Sequence, residues 1–201
     1  DVQVVFVQVT EDSNVDQNST MPVEEDRNND GILDSNQDNV VYLKTFDGTY
    51  FVTIESPPGT VLKDCVAVGR PLGADAPPSN GEYPYGFFSF VVDKVETGGE
   101  TKVTIYLPTD AELATYYKYG PEPEHPDPHW YEFVYDEQTR TGAKIDANRI
   151  TLHFVDGQGG DDDLEANGRI VDDGGPRAQE KERDEGGGGS GGCFIGTMSG
   201  L

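Results

Sequence analysis

FFSFVVDKVETGGETKVTIYLP, residues 87–108, sets two runs rich in Val, Ile, Thr and Phe on either side of a Gly-Gly pair. β-Branched and aromatic side chains fit a pleated, half-buried surface, and Gly-Gly supplies turn geometry. The stretch predicts two strands, FSFVVDKV and KVTIYLP, paired through ETGGE. The same texture recurs outward from it, in VVYLKTFDG, TYFVTIES, VLKDCVAVG, ATYYKYG, HWYEFVYD and RITLHFVDG. Gly, Pro, Asn and Asp separate these runs. Many short strands with regular turn signals predict an all-β fold, an antiparallel β-sandwich. DAELATYY is the only candidate helical turn.

The organisation follows from shifts in composition. Residues 40–176 form the sandwich. Residues 11–39 are polar and acidic, and read as a linker that needs metal to become ordered. Residues 177–201 form a charged and then Gly-rich tail, whose GGGGSGG is a flexible linker by composition. Ahead of the linker stands DVQVVFVQVT, Asp1 to Thr10. Val2, Val4 and Phe6 fall on one face of this strand and Val5, Val7 and Val9 on the other. A strand wet on one side alternates apolar and polar residues. This one is apolar on both faces, so it needs a sheet around it.

The chain carries 14 Lys and Arg against 38 Asp and Glu, a formal net charge of −24. That balance argues against nucleic acid and anionic membrane surfaces as partners. No apolar run is long enough to span a bilayer, so no transmembrane segment is expected in this chain. The first residue is Asp, not Met, and the chain reads as the trimmed product of an exported protein.

The strongest local chemistry is DRNNDGILDSNQD, residues 26–38. Asp26, Asn28 and Asp30 occupy the first, third and fifth places of a D-x-N-x-D-G loop, and Gly31 follows where a sharp turn is needed. Calcium prefers about 6–8 oxygen ligands. Ile32 can add its backbone carbonyl, and Asp34 and Asp38 are the carboxylates expected to close the site. The alternative is an Asx-rich turn. Asp12, Asn14 and Asp16 are a weaker echo without the glycine. A second acidic stretch, DGQGGDDDLEANGRIVDDGG, offers Asp156, Asp161, Asp163 and Asp172 as a further set of calcium ligands, against a solvated loop.

Cys65 and Cys193 have neither CxxC spacing nor a histidine companion, which argues against zinc. A disulfide between them and two separate thiols are both open readings. His125 and His129 are spaced as on a zinc-binding helix, but Pro126 and Pro128 forbid that helix, and HPDPHW reads as an extended loop. No nucleophile elbow or phosphate loop is present, and the chain is not expected to be an enzyme. Tyr83, Tyr85, Tyr116, Tyr117, Tyr119, Trp130 and Tyr131 are read as core and corner aromatics ahead of a glycan-binding face.

YPYGFFSF, KVTIYLP, YYKYGPEPEHPDPHWYEF, ITLHFVDGQGGDDDLEANGRIVDDGGP and the preceding DGILDSNQDNV resemble the bacterial choice-of-anchor U domain over residues 39–176. The upstream loop resembles thrombospondin type 3 repeats, which implies calcium. The tail resembles a glycine-rich segment ending in a Cys-Phe-Ile-Ala-Thr-Ala motif, matched at Cys193, Phe194, Ile195 and Thr197 and not at Gly196 and Met198. The resemblance implies an extracellular, cell-surface bacterial protein, and it supplies no catalytic residues.

Two functions follow as expectations. The first is a structural subunit of a calcium-stabilised extracellular filament. Its Asp1–Thr10 strand would leave its own subunit and complete the sheet of the next, a head-to-tail homopolymer. The second is a monomeric surface-anchored adhesin or carbohydrate-binding module with a surface glycan as partner.

Overall fold

The computed structural model describes residues 26, 28, 30–78 and 81–179. The Asp1–Thr10 strand, the Asp12–Asp16 echo, Cys193 and the Gly-rich tail lie outside the described residues. Ten strands follow in chain order: β1 Val40–Lys44, β2 Phe51–Glu55, β3 Val61–Val68, β4 Phe87–Asp93, β5 Glu100–Tyr106, β6 Leu113–Glu122, β7 His125–Glu132, β8 Gly142–Asp146, β9 Arg149–Val155 and β10 Arg169–Ala178. They form two five-stranded antiparallel sheets, ordered β1-β2-β5-β9-β8 and β3-β4-β10-β6-β7. The expected all-β fold is therefore present.

The core lies between the sheets. Val52, Ile54, Val103, Ile105, Ile150, Leu152 and Phe154 come from the first, and Phe88, Phe90, Val92, Tyr116 and Ile170 from the second. In β5 the residues at 101, 103 and 105 are buried and their neighbours are wetter, the period-two signature of a sheet with one face outward. β4 is buried along nearly its whole length. Its inward row, Phe88, Phe90 and Val92, faces the core, while Phe87 on the other face packs under the Trp130 ring.

The hairpin expected through ETGGE does not form. β4 pairs with β3 and β10, whereas β5 pairs with β2 and β9. The segment 94–99 is long enough to step from one sheet to the other, which a two-residue turn is not. It is held in that crossing by three contacts. The Val95 N–H donates to Gly168 O at 3.0 Å, the Gly99 N–H donates to Glu96 O at 2.7 Å, and the Asp156 carboxylate accepts the Gly98 N–H at 2.8 Å. Tight hairpins occur elsewhere, between β6 and β7 at Pro123-Glu124 and between β8 and β9 at Ala147-Asn148.

Two further expectations are corrected. DAELATYY is not helical: the Ala111 N–H donates to Pro108 O at 3.0 Å in a turn, and the strand β6 begins at Leu113. HPDPHW is not a loop but most of β7, an edge strand. Pro126 and Pro128 are tolerated there because an edge strand has one side without ladder partners. β10 runs to Ala178, so regular structure continues into the charged segment.

Candidate functional site

The acidic loop ahead of β1 curls on its own side chains. Asp26 accepts the N–H groups of Asp30 at 3.0 Å and Gly31 at 2.8 Å, and Asn28 Oδ1 accepts that of Asp30 at 3.3 Å. Asp30 Oδ1 accepts the Ile32 N–H at 2.8 Å. Gly31 has φ 88, a left-handed turn that a side chain would strain. The Gln37 amide donates to Asp30 Oδ1 at 3.3 Å and to Ile32 O at 3.2 Å, so it marks the point where those oxygens converge. Asn28 Nδ2 ties the loop to Glu55 on β2 at 3.2 Å.

Asp26, Asn28, Asp30 and Ile32 are thus brought together through oxygen atoms, the donor chemistry calcium prefers. Carboxylate oxygens that accept one N–H keep a further lone pair. Asp34, itself buried, opens a 3-10 turn, Asp34–Asn36. Asp38 is placed at the entry to β1, where its carbonyl accepts the Leu62 N–H at 2.9 Å. No group of three or more His, Cys, Asp or Glu side chains arranged to hold a metal is found among the described residues. The loop is an oxygen-lined turn, not a preformed carboxylate cage.

Asp156, Asp161, Asp163 and Asp172 are not gathered on one point. Asp156 is 1 % exposed and accepts the N–H groups of Gly98 at 2.8 Å, Gly168 at 2.9 Å and Arg169 at 3.2 Å. Asp161 accepts those of Gly157 at 2.9 Å and Val171 at 3.0 Å. Burial pushes its carboxyl up to about 6, against those two bonds. Asp163 accepts the Glu165 N–H and the Asn167 amide. Asp172 is paired with the Lys118 ammonium and accepts the Tyr116 hydroxyl at 3.1 Å. The stretch expected to wrap an ion instead braces the loop between β9 and β10, and a lysine stands on Asp172 where a cation would have to bind.

Sequence reasoning missed that lysine. Lys118 is fully buried in the middle of β6, between Asp172 and Asp162, the latter at 3.3 Å. Its one signal is parity: position 118 shares a face with Tyr116, and Tyr116 is a core residue.

The aromatic row on the outer side of the second sheet is covered by the chain itself. Tyr83 and Trp130 flank Phe87 with ring centroids 5.0 and 5.1 Å away, and Tyr119 follows Trp130 at 5.2 Å. Their polar tips hold the segment after β3. The Trp130 indole donates to Asp75 O at 3.1 Å, Tyr119 to Gly73 O at 3.2 Å and Tyr83 to Pro78 O at 3.4 Å. Tyr85 and Tyr116 are buried in the core. His125 and His129 meet edge to face at 5.6 Å, and His129 Nε2 bonds Glu122 at 3.0 Å. Cys65 is half-buried on β3, and burial followed by the Asp64 charge pushes its thiol up to about 12. Its suggested partner Cys193 lies outside the described residues.

The two sides of the sandwich differ. On one, Phe133–Tyr135 sutures the sheets. The Phe133 N–H donates to Tyr116 O of β6 at 2.9 Å. The Ala143 N–H donates to Phe133 O at 2.7 Å, and the Tyr135 N–H to Ala143 O at 3.2 Å, reaching β8. On the other side the edge strands β1 and β3 touch at their ends, through Asp38–Leu62 and where the Phe46 ring lies against Gly69. Between those points Val41, Leu43, Cys65 and Ala67 pack on the core yet are only half-buried. A β-bulge between Lys63 and Val66, with Asp64 at φ 52, interrupts β3 there.

Comparison with protein-family models, with curated proteins and with solved structures finds no match for this chain.

Proposed function

We propose that this protein is the structural subunit of a calcium-stabilised extracellular filament, assembled head to tail by β-strand addition. The observation that carries the reading is the open side between β1 and β3. There the inward side chains of two unpartnered edges, Val41, Leu43, Cys65 and Ala67, are half wet. An added strand supplies main-chain hydrogen bonds along an edge and seats alternate side chains in the core. Asp1–Thr10 is a segment of the right kind, because a strand that is apolar on both faces fits between two layers. Donation from one copy to the next does not close on itself and gives a filament.

Calcium belongs to the same reading. The Asp26–Asp38 loop joins the donor segment to β1, and an ion held by Asp26, Asn28, Asp30 and the Ile32 carbonyl, closed by Asp34 or Asp38, would stiffen that joint. Electron microscopy before and after chelation tests it. Filaments that shorten or dissolve in chelator and regrow with calcium support the role; filaments indifferent to chelation remove calcium from the mechanism.

The second reading, a monomeric surface-anchored adhesin, gains from one feature. The bulge in β3 between Lys63 and Val66, with Asp64 inside it, is a device that blunts edge pairing. A protein that stays monomeric at high concentration with calcium present would favour it.

A further inference from the structure

Lys118, Asp162 and Asp172 form a charge cluster inside the second sheet that neither reading above uses. Lys118 and Asp172 sit on adjacent strands, β6 and β10, whose register sets Lys118 opposite Gly174. Both side chains are completely buried, and that of Asp162 is 10 % exposed. The Lys118 ammonium donates to Asp172 Oδ1 and, at 3.3 Å, to Asp162 Oδ2. Tyr116 donates to the other Asp172 oxygen at 3.1 Å. The rings of Phe133 and Phe154 each lie 5.7 Å from Nζ and, with Tyr131, exclude water. Glycine makes room for the arrangement: a Cβ on Gly120 would collide with Asp162 Oδ1, and one on Gly174 would collide with the Tyr116 ring.

Burying three charges with one cation leaves a net negative charge in an apolar site, which is costly. Burial pushes both carboxyls up, Asp162 to about 8, against the pull of Lys118. Burial also works against the charge on Lys118, but the two carboxylates outweigh it and hold its proton. One proton retained beyond the ammonium removes that net charge, and burial favours it. That inventory is ammonium, carboxylate and carboxylic acid. Moving one proton from Nζ to Asp172 turns it into a neutral amine beside two carboxylic acids, with no net charge in either form. Asp162 Oδ1 is buried with no hydrogen-bond partner, which leaves Asp162 an oxygen not engaged by another group.

We propose that Lys118 and Asp172 condense spontaneously to an intramolecular isopeptide bond that links β6 to β10, with Asp162 as the proton shuttle. The Lys118 Nζ lone pair attacks Asp172 Cγ. Asp162 donates its proton to the carbonyl oxygen as the tetrahedral intermediate forms, and takes one from Nζ. It then gives a proton to one hydroxyl, which departs as water, and takes back the proton of the other as the amide carbonyl reforms. One C–N bond forms, one C–O bond breaks and one water leaves; nothing is oxidised or reduced. The fold supplies the held geometry that makes such a step effectively unimolecular, and exclusion of water opposes the reverse hydrolysis. Tyr116, bonded to the second Asp172 oxygen, orients the acyl group. The bond would staple the second sheet through two of its three inner strands.

Mass spectrometry of the full chain tests this without any substitution. The expected result is a denatured intact mass lighter by one water than the sequence requires. Digestion should yield a branched peptide joining Lys118 to Asp172, with trypsin failing to cut after Lys118. Asp162→Ala, checked for folding by circular dichroism, should return to the full mass. Asp172→Asn should give the same branched peptide with loss of ammonia. Folded wild-type protein that yields the Lys118 and Asp172 peptides separately and unmodified overturns the proposal. A branched peptide formed at undiminished yield in Asp162→Ala overturns the role of Asp162.

Discussion

The Leu62 N–H of β3 donates to the Asp38 carbonyl, two residues ahead of β1, at 2.9 Å. On the opposite side Phe133 alone makes two such bonds, one to each sheet. This asymmetry yields a prediction about assembly. Ala67→Arg places a charge on the inward row of the open side, where a half-buried site lets it reach water. The isolated subunit should lose about 1 kcal/mol by thermal unfolding, while light scattering at high concentration shows only monomer. Ala67→Arg protein that assembles like the wild type would show that the open side is not the acceptor.

The calcium loop predicts ligand-dependent stability. A ligand that binds only the folded state raises stability by about 2.7 kcal/mol at roughly a hundredfold excess over Kd. Thermal unfolding with and without calcium should reveal such a shift, and Asp30→Ala should abolish most of it. Gly31→Ala should weaken it as well, because φ 88 is strained for alanine. An equal shift in wild type and Asp30→Ala would place calcium elsewhere.

Asp156 should matter for folding rather than for metal. Its carboxylate satisfies three backbone N–H groups at the crossing between the sheets. Asp156→Ala leaves all three without that acceptor, at a cost of about 3 kcal/mol or more. Denaturant unfolding in calcium-free buffer measures it, and a variant as stable as the wild type would contradict the bracing role.

Asp161 gives a pH dependence of defined sign. Burial raises its folded-state carboxyl to about 6 from an ordinary value of 3.8. A group raised on folding contributes stability that is full below the ordinary value and is lost as pH rises through the folded one. The advantage of wild type over Asp161→Asn should therefore shrink between pH 4 and pH 6. Unfolding midpoints across that window test it, and an advantage that grows with pH would reverse the assignment.

Trp130 holds the strap after β3 and covers Phe87. Trp130→Ala should cost about 3 kcal/mol and expose residues 71–78 to protease. Unchanged stability together with lost glycan binding would favour the adhesin reading.

The strands were legible because their composition and turn residues are local. The pairing of FSFVVDKV with KVTIYLP was misread because the choice of sheet depends on β3, β10, β2 and β9, which lie far off in the chain. HPDPHW was misread because proline excludes a central strand but not an edge. Asp156, Asp161, Asp163 and Asp172 invite a ligand reading because acidic spacing looks alike whether the partner is an ion, a backbone N–H or a buried lysine. The Lys118 cluster was hidden by distance: Asp162 and Asp172 lie 44 and 54 residues along the chain.

The most direct measurement is negative-stain electron microscopy of the full chain, in calcium, beside a chain lacking Asp1–Thr10. The account predicts filaments from the first and single subunits from the second, with a synthetic Asp1–Thr10 peptide binding the truncated subunit. Filaments of undiminished length from the truncated chain would contradict it.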